Sequence, residues 1–178
     1  MTPEKAAAFY RVGYLWSERL PQLACDWLAA GSDSPSLRVL AGETSPIMSE
    51  VGPLFELTLK ELGVSMPTEL GALFVVAKSY CKAILNGNMT PYEGANVVWK
   101  DITDRLDNAS QLMRHFVDAA LEIDAILFDQ MPNGVSCEQW LSEIEADIVS
   151  SARELMGLEN AEQMLSHRGD TGGKAPGK

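Results

Sequence analysis

The residues in this sequence that are best placed to do chemistry are carboxylates, which recur at helical spacing in its C-terminal part. They form two polar stripes, one on a predicted helix over residues 109–130 and one on a predicted helix over residues 136–157. An acidic surface steers a basic partner and speeds its association, so we expect these stripes to bind a basic protein. The predicted partner-binding residues are Asp118, Glu122, Asp129, Glu143, Asp147 and Glu154.

Two further interpretations of these acids stay open. A solvated helix face that only keeps the protein soluble has the same composition. Internal ion pairs are the other option, with Glu122 or Asp124 supplying the carboxylate. The cation would then be Arg38 or Arg114, and buried carboxylates of this kind would be structural.

Patterns typical of enzymes and metal sites are missing from the sequence. The only histidines are His115 and His167, and neither has an identifiable partner for Ser–His or Cys–His catalysis. HExxH and ExxH do not occur, which disfavours zinc and di-iron sites. The acids Asp101, Asp104 and Asp107 are spaced by three and lack the glycine of a calcium loop. We therefore expect no catalytic residue, no metal, no cofactor and no enzymatic activity.

Charge is concentrated in one part of the chain. The 178 residues carry 14 basic and 25 acidic side chains, a net charge of −11, and residues 101–165 hold 14 of the acids with only 3 bases. Residues 1–100 are nearly balanced, with 10 acids and 8 bases. Nucleic acids and anionic membranes are bound through clustered Lys and Arg, so we expect neither as a partner.

The cysteines and the opening residues bear on the cellular compartment. Cys25, Cys81 and Cys137 are far apart and form no CxxC pair, which favours a reducing compartment. Two of the three fall in apolar helical registers and are expected to be small core residues. The opening MTPEKAAAFY lacks the pattern of a signal peptide, and the longest apolar run is too short to cross a bilayer. We expect a cytoplasmic protein.

Helical periodicity runs through most of the chain, and no stretch alternates as a strand would. We predict an all-α fold, an irregular bundle of about seven helices in a single domain over residues 1–165. Residues 166–178 are predicted to form a disordered tail. Helix starts are predicted at Thr2, Ser34, Ser45 and Thr90, each followed by proline, and capping boxes at Thr90–Glu93 and Ser136–Gln139.

Several boundaries and core positions follow from the same patterns. We expect the first helix to run to about Arg19, and a later helix to run from Pro53 to Leu62. The helix over residues 109–130 is apolar on two sides, with Leu121 on the second side, so we expect it to be central in the bundle. The tryptophans occupy apolar registers and are predicted to be core residues, namely Trp16, Trp27, Trp99 and Trp140.

The stretch over residues 27–43 joins helices through tight turns. Gly31 is suited to the positive φ at a helix C-terminus, and Ser34 is suited to capping the next helix. Asp33 and Arg38 lie close together in this stretch, and no histidine nearby would activate a serine. We expect Asp33 and Arg38 to pin the turn to neighbouring helices.

Three segments carry a family resemblance: GSDSPSLRVLAG over residues 31–42, GNMTPYEGANVVW over residues 87–99, and IEADIVSSAREL over residues 144–155. On these segments the chain resembles a family of small all-helical bacterial proteins with a GxDSPxLRxLAG-type motif. The resemblance implies the fold rather than an activity. Small acidic helical proteins of this kind include immunity proteins that neutralise secreted bacterial toxins, and that analogy implies a toxin domain as the basic partner.

Three functional hypotheses follow. The first is a non-enzymatic protein-binding module that uses the acidic helical surface, as an immunity protein or toxin inhibitor would. The second is a helical scaffold or regulatory domain whose partner meets an apolar groove, while the acids only maintain solubility. The third, which we rank last, is an enzyme that uses carboxylates with a divalent ion.

Overall fold

The computed structural model describes residues 1–127 and 136–166, and the regular structure in these ranges is entirely helical. This confirms the predicted all-α class, with nine α-helices in the described ranges. A 3-10 turn, Thr103–Arg105, follows the sixth helix. The helices are α1 (Pro3–Arg11), α2 (Arg19–Ala29), α3 (Pro35–Ala41), α4 (Met48–Glu61), α5 (Glu69–Leu85), α6 (Pro91–Asp101), α7 (Gln111–Leu127), α8 (Cys137–Gly157) and α9 (Gln163–Ser166).

Contacts within the chain divide it into two compact units, Met1–Val76 and Ala77–Lys178. In the first unit, Phe55 of α4 is fully buried, and its ring centroid lies 5.0 Å from that of Tyr10 and 6.0 Å from that of Trp27. Such tilted aromatic contacts are favourable beyond the apolar area that they bury. In the second unit, α7 packs against α6, α8 and α9. The single domain over residues 1–165 stays a prediction.

Three of the predicted helix starts are confirmed by capping hydrogen bonds. The Thr2 hydroxyl accepts a bond from a first-turn amide of α1, and the Ser34 hydroxyl accepts one from the Leu37 amide over 3.2 Å. Thr90 and Glu93 form a complete capping box at the start of α6. Each cap satisfies an amide that has no partner within its own helix, which explains why the chain enters a helix at these points.

The first helix is shorter than the sequence pattern predicts. α1 ends at Arg11, not near Arg19. Gly13 then takes a φ of 82°, a conformation that glycine adopts without steric strain, and the chain turns away from the helix axis. Trp16 therefore lies outside the helix to which its spacing assigns it.

The fourth helix is longer than predicted. It begins at Met48 rather than next to Ser45, and it continues through Pro53 instead of starting there. A proline within a helix removes one backbone hydrogen bond and crowds the residue before it. That residue is Gly52, which has no Cβ to clash. The carbonyl that loses its partner is that of Ser49, which is exposed, so water can reach it.

Two predictions about α7 and α8 are only partly right. The inward side of α7 is buried as expected, but Leu121 on its second side is 47% exposed. The Ser136 hydroxyl makes no capping bond at the start of α8, so the predicted capping box there is wrong. Gln139 instead donates from Nε2 to the Glu143 carboxylate over 3.2 Å. Most of the predicted tail lies outside the described residues.

Candidate functional site

Three of the predicted binding residues come together where α7 packs against α8. Asp118 and Glu122 lie one turn apart on α7, Asp147 lies on α8, and all three are exposed. Partial burial raises the pKa of the Glu122 carboxyl above its usual range, and the negative charges of Asp118 and Asp147 raise it further. The two helices thus contribute carboxylates to one surface, the acidic face, defined here as Asp118, Glu122 and Asp147. Its role in binding stays a prediction.

Buried apolar side chains hold the acidic face in place. Phe116 and Ile123 of α7 are buried, as are Ile144 and Ile148 of α8. Each carboxylate therefore lies on a helix whose other side is committed to the core. Rotating either helix to separate the charges would expose apolar surface, so the fold retains the repulsion.

The other predicted binding residues lie further along the helices or outside the described residues. Glu143 is exposed one turn before Asp147 on α8, and it accepts the hydrogen bond from Gln139. Glu154 is half-buried two turns after Asp147, which at a rise of about 1.5 Å per residue separates the two by about 10 Å along the axis. Asp129 lies outside the described residues.

Arg38 and Asp124 have partners other than those that the ion-pair interpretation requires. Arg38 donates from Nε to Asp33 Oδ1 over 2.7 Å, and from Nη2 to Oδ2 of the same residue. These hydrogen bonds lower the pKa of Asp33 and raise that of Arg38. Both residues are exposed and bind each other, so Arg38 joins the turn at Asp33 to α3, the helix that follows it. Asp124 accepts a hydrogen bond from the Tyr92 hydroxyl.

Sequence reasoning missed a carboxylate that binds the first turn of α3. Glu61, the last residue of α4, accepts hydrogen bonds from the Ser36 amide over 3.0 Å and from the Ser36 hydroxyl over 2.9 Å. These bonds, above all the one from the backbone amide, lower the pKa of Glu61. A carboxylate is favoured there because the first amides of a helix lack partners within it. No local spacing marks Glu61, which is 25 residues away from Ser36.

An apolar cleft of ≈ 510 Å³ lies in the first unit, and Trp16 is one of its walls. Tyr10, Leu15 and Met48 also line it. Trp16 is 72% exposed, so the prediction that it is a core residue is wrong. The reason is the end of α1 at Arg11, which takes Trp16 out of helical register. The sequence signal that would have shown this is Gly13, six residues before the expected end of the helix.

The remaining tryptophans follow the prediction more closely. Trp27 is buried, and its Nε1 donates to the Met1 carbonyl over 2.7 Å. Trp99 is half-buried and donates from Nε1 to Asp104 Oδ1 over 3.0 Å. Trp140 is also half-buried. Indole rings at such positions contribute apolar area while their N–H groups keep a polar partner or remain near water.

A second cleft in the first unit, of ≈ 730 Å³, combines apolar and basic side chains. Leu57, Val64 and Met66 are among its apolar residues, and Arg11 and Lys60 are its cations. Leu57 is 46% exposed. Sequence reasoning did not find this cleft, because its lining comes from two helices and from the loop after α4.

The chemistry of the remaining groups is limited in the part of the chain that the structure describes. There, no three His, Cys, Asp or Glu side chains are placed to hold a metal ion. In residues 1–127 and 136–166, every helix is too short or too polar to span a membrane.

Cys81 is buried, and burial raises the pKa of its thiol to about 12. Cys25 and Cys137 are exposed, so only one of the two cysteines expected in the core is there.

These features define an all-helical protein with an acidic face in one unit and apolar clefts in the other. Comparison of the chain with protein-family models, with curated proteins and with solved structures gave no significant match. The resemblance to a bacterial family with the GxDSPxLRxLAG-type motif therefore stays a prediction.

Proposed function

We propose that this chain is a non-enzymatic, cytoplasmic protein-binding module whose acidic face binds a basic surface on another protein. The observation that carries the proposal is the convergence of Asp118, Glu122 and Asp147, none of which has an ion-pair partner among residues 1–127 and 136–166. Like charges one turn apart destabilise a helix by about 0.2–0.5 kcal/mol. A surface that keeps such repulsion is complementary to cations.

A basic partner would reverse the electrostatic balance at Glu122. A Lys or Arg side chain near the carboxyl favours its ionised form and lowers its pKa. Binding would then release a proton when the pH is near the raised pKa of Glu122, and it would weaken as the pH falls through that range. Because long-range attraction steers the encounter, association would also slow as salt is added.

The partner class that we propose is a toxin domain of bacterial origin, which would make the protein an immunity protein. Support comes from the net charge of −11 and from its concentration in residues 101–165. Toxin domains that act on nucleic acid need basic surfaces, and an acidic helical surface can compete for them. The exposed thiols Cys25 and Cys137 suit a reducing cytoplasm.

The test captures basic proteins on the immobilised chain from a bacterial secreted-protein fraction, and then measures the Kd of each purified candidate by calorimetry. The double variant Glu122→Lys with Asp147→Lys is expected to weaken binding by at least about tenfold. Glu43→Lys with Glu162→Lys is the matched control, because both residues are exposed and the net charge changes equally. This control is expected to stay within about twofold of the unmodified chain.

Two results would contradict the proposal. One is that no basic protein is captured. The other is that both double variants weaken binding equally, since this would show a response to net charge rather than to the acidic face.

The alternative function is a helical scaffold or regulatory domain that binds its partner through an apolar groove, and the exposed Trp16 favours it. The acids would then only maintain solubility. Salt distinguishes the two functions. Raising the NaCl concentration from about 50 mM to about 500 mM shortens the Debye length, which weakens binding to the acidic face strongly and weakens binding that rests mainly on apolar contacts much less.

A further inference from the structure

The two clefts of the first unit lie on either side of one hydrogen bond. Tyr10 lines the smaller cleft, Glu56 lines the larger one, and the Tyr10 hydroxyl donates to Glu56 Oε1 over 3.1 Å. Both clefts include residues of α4, with Met48 in the smaller and Lys60 in the larger. We name the combined surface the α1–α4 groove, defined by Tyr10, Arg11, Trp16, Met48, Leu57 and Lys60.

Packing fixes the middle of this groove. The Tyr10 ring lies 5.0 Å from the buried ring of Phe55, measured between centroids. Gly52 allows the hydroxyl to reach across α4, because a Cβ at that position would lie 2.8 Å from the Tyr10 oxygen. The Tyr10 side chain is therefore held before any partner arrives, and a preorganised surface loses less conformational entropy on binding.

The residue types along the groove are those that protein interfaces favour. Tyr, Trp, Met and Arg are enriched at interfaces, and Trp, Tyr and Arg dominate the binding energy. Trp16 is 72% exposed, Leu57 is 46% exposed and Met48 is 39% exposed. Trp16 and Met48 line the same cleft, and exposed apolar side chains grouped in this way mark interaction sites on soluble proteins.

The charges in the groove determine the kind of partner. Arg11 and Lys60 both line the larger cleft, and the part of the chain that the structure describes gives neither side chain an ion-pair partner. The single carboxylate there, on Glu56, already accepts the hydrogen bond from Tyr10. This end of the groove is therefore complementary to carboxylates, the reverse of the acidic face.

The length of the groove suits a helix. From Met48 to Lys60, α4 rises about 18 Å, which equals about three turns of a second helix laid along it. An amphipathic helix would place apolar residues at positions i, i+3, i+4 and i+7 on such a surface.

We propose that the α1–α4 groove binds an acidic amphipathic helix of a partner protein. The apolar side chains of that helix contact Trp16, Met48 and Leu57. Its carboxylates lie near Arg11 and Lys60. This inference gives the alternative function its surface and its partner class, and it does not depend on the acidic face.

The test uses the full chain and three labelled synthetic peptides of about 18 residues, long enough for marginal helicity. One has Leu at amphipathic positions and Glu elsewhere, the second is its scrambled sequence, and the third replaces Glu by Lys. Fluorescence anisotropy is expected to give saturable binding of the first peptide, with the scrambled peptide at least about tenfold weaker. Trp16→Ala is expected to weaken binding of the first peptide by at least about tenfold.

Charge reversal tests whether the cations of the groove select an acidic partner. Lys60→Glu is expected to weaken binding of the acidic peptide several-fold and to improve binding of the basic peptide. Matched controls are Val39→Ala, at an apolar residue of α3 that is 56% exposed, and Lys82→Glu, at an exposed cation of α5. Since Trp16 and Lys60 are exposed, these variants are expected to fold, and circular dichroism checks that they do.

Four results would overturn the proposal. The first is that the acidic peptide does not bind in a saturable way. The second is that the control variants weaken binding as much as the groove variants. The third is that the chain self-associates in sedimentation and loses this with Trp16→Ala, which assigns the groove to a second copy. The fourth is that decanoate binds while the peptide does not, which assigns the groove to a small amphiphile. Each differs from a failure of the acidic face, which is tested with basic partners.

Discussion

The acidic face and the α1–α4 groove expose side chains for opposite physical reasons. In the acidic face, charged residues point to solvent because the apolar rows of α7 and α8 occupy the core. In the groove, Trp16 and Leu57 stay at the surface although burial would favour them. Exposed charge is the ordinary state of a helix surface, whereas an exposed tryptophan is not. An exposed apolar side chain is therefore the more informative feature of this surface, even in a chain with a net charge of −11.

The two regions also treat carboxylates differently. Partial burial raises the pKa of Glu122, and the two acids beside it raise that pKa further. Glu61, in the unit that holds the groove, accepts hydrogen bonds that lower its pKa. The fold thus disfavours the ionised form of Glu122 and favours the ionised form of Glu61. The two carboxylates therefore make opposite contributions to the pH dependence of stability.

The largest expected effect comes from truncating the buried side chain that packs against Tyr10 of the groove. Phe55 is fully buried against Tyr10 and Trp27, so Phe55→Ala is expected to lower the free energy of unfolding by about 3–5 kcal/mol. Phe55→Leu keeps most of the volume and is expected to lose less than about 1.5 kcal/mol. Urea denaturation measures both values. If Phe55→Ala lost as little stability as Phe55→Leu, the site would have repacked around the smaller side chain, and Phe55 would not support the groove.

The next effect tests the close contact between Tyr10 and α4. Gly52→Ala places a methyl group 2.8 Å from the Tyr10 hydroxyl oxygen and is expected to displace the ring. Overpacking costs about 1–3 kcal/mol, and the crowding of the new Cβ by Pro53 offsets the gain in helix propensity, so we expect a net loss of about 1–3 kcal/mol in thermal denaturation. In a Tyr10→Phe background the loss is expected to be smaller, because the clashing oxygen is gone while the crowding of the new Cβ by Pro53 remains.

Titration of Tyr10 gives a second measurement on this contact. Burial, followed by the hydrogen bond to Glu56 and the charge of Glu56, raises the pKa of Tyr10 to about 12. In Gly52→Ala, the phenol is expected to titrate closer to its usual value of 10.0. An unchanged phenol pKa would mean that the Tyr10 side chain keeps its position against α4 without Gly52.

The acidic face is the region that the sequence predicts well. Helical spacing alone identifies Asp118, Glu122 and Asp147 as surface acids, because a carboxylate on an amphipathic helix has one favourable side to occupy. It also gives the caps at Thr2, Ser34 and Thr90, which depend on bonds within three residues. Local interactions of this kind are encoded within a few residues of each other.

The groove and the hydrogen bonds between Glu61 and Ser36 could not be predicted in the same way. The position of Trp16 depends on α1 ending at Arg11, and a periodic pattern that continues past the end of the helix hides that boundary. The bond between Glu61 and Ser36 joins residues 25 positions apart, so it depends on how α3 and α4 pack. Helical periodicity carries no information about such distant contacts.

A smaller effect is expected at acid pH from the hydrogen bonds that Ser36 donates to Glu61. The pKa of Glu61 lies below its usual value of 4.5, so its ionised form stabilises the fold above that pH. This contribution is lost as the pH falls through the lowered pKa. Glu61→Gln is expected to reduce stability at pH 7 and to flatten its decline between about pH 5 and pH 2. Glu43→Gln, at an exposed acid, is the control, and an equal change in both variants would show that the hydrogen bonds to Glu61 do not stabilise the fold.

The smallest effect is expected at the acidic face, where stability changes with pH in the opposite direction to that at Glu61. The pKa of Glu122 is raised above 4.5 in the fold, so its protonated form is favoured and stability falls as the pH rises through the raised value. Glu122→Gln removes this loss and is expected to stabilise the chain at pH 7 by about 0.2–0.5 kcal/mol. The gain should disappear below the usual pKa, where the native carboxyl is already neutral. Glu162→Gln is the matched control, and denaturation at pH 7 and pH 3.5 measures both variants. A loss of stability in Glu122→Gln would mean that a cation holds this carboxylate, and the acidic face would then be structural rather than open to a partner.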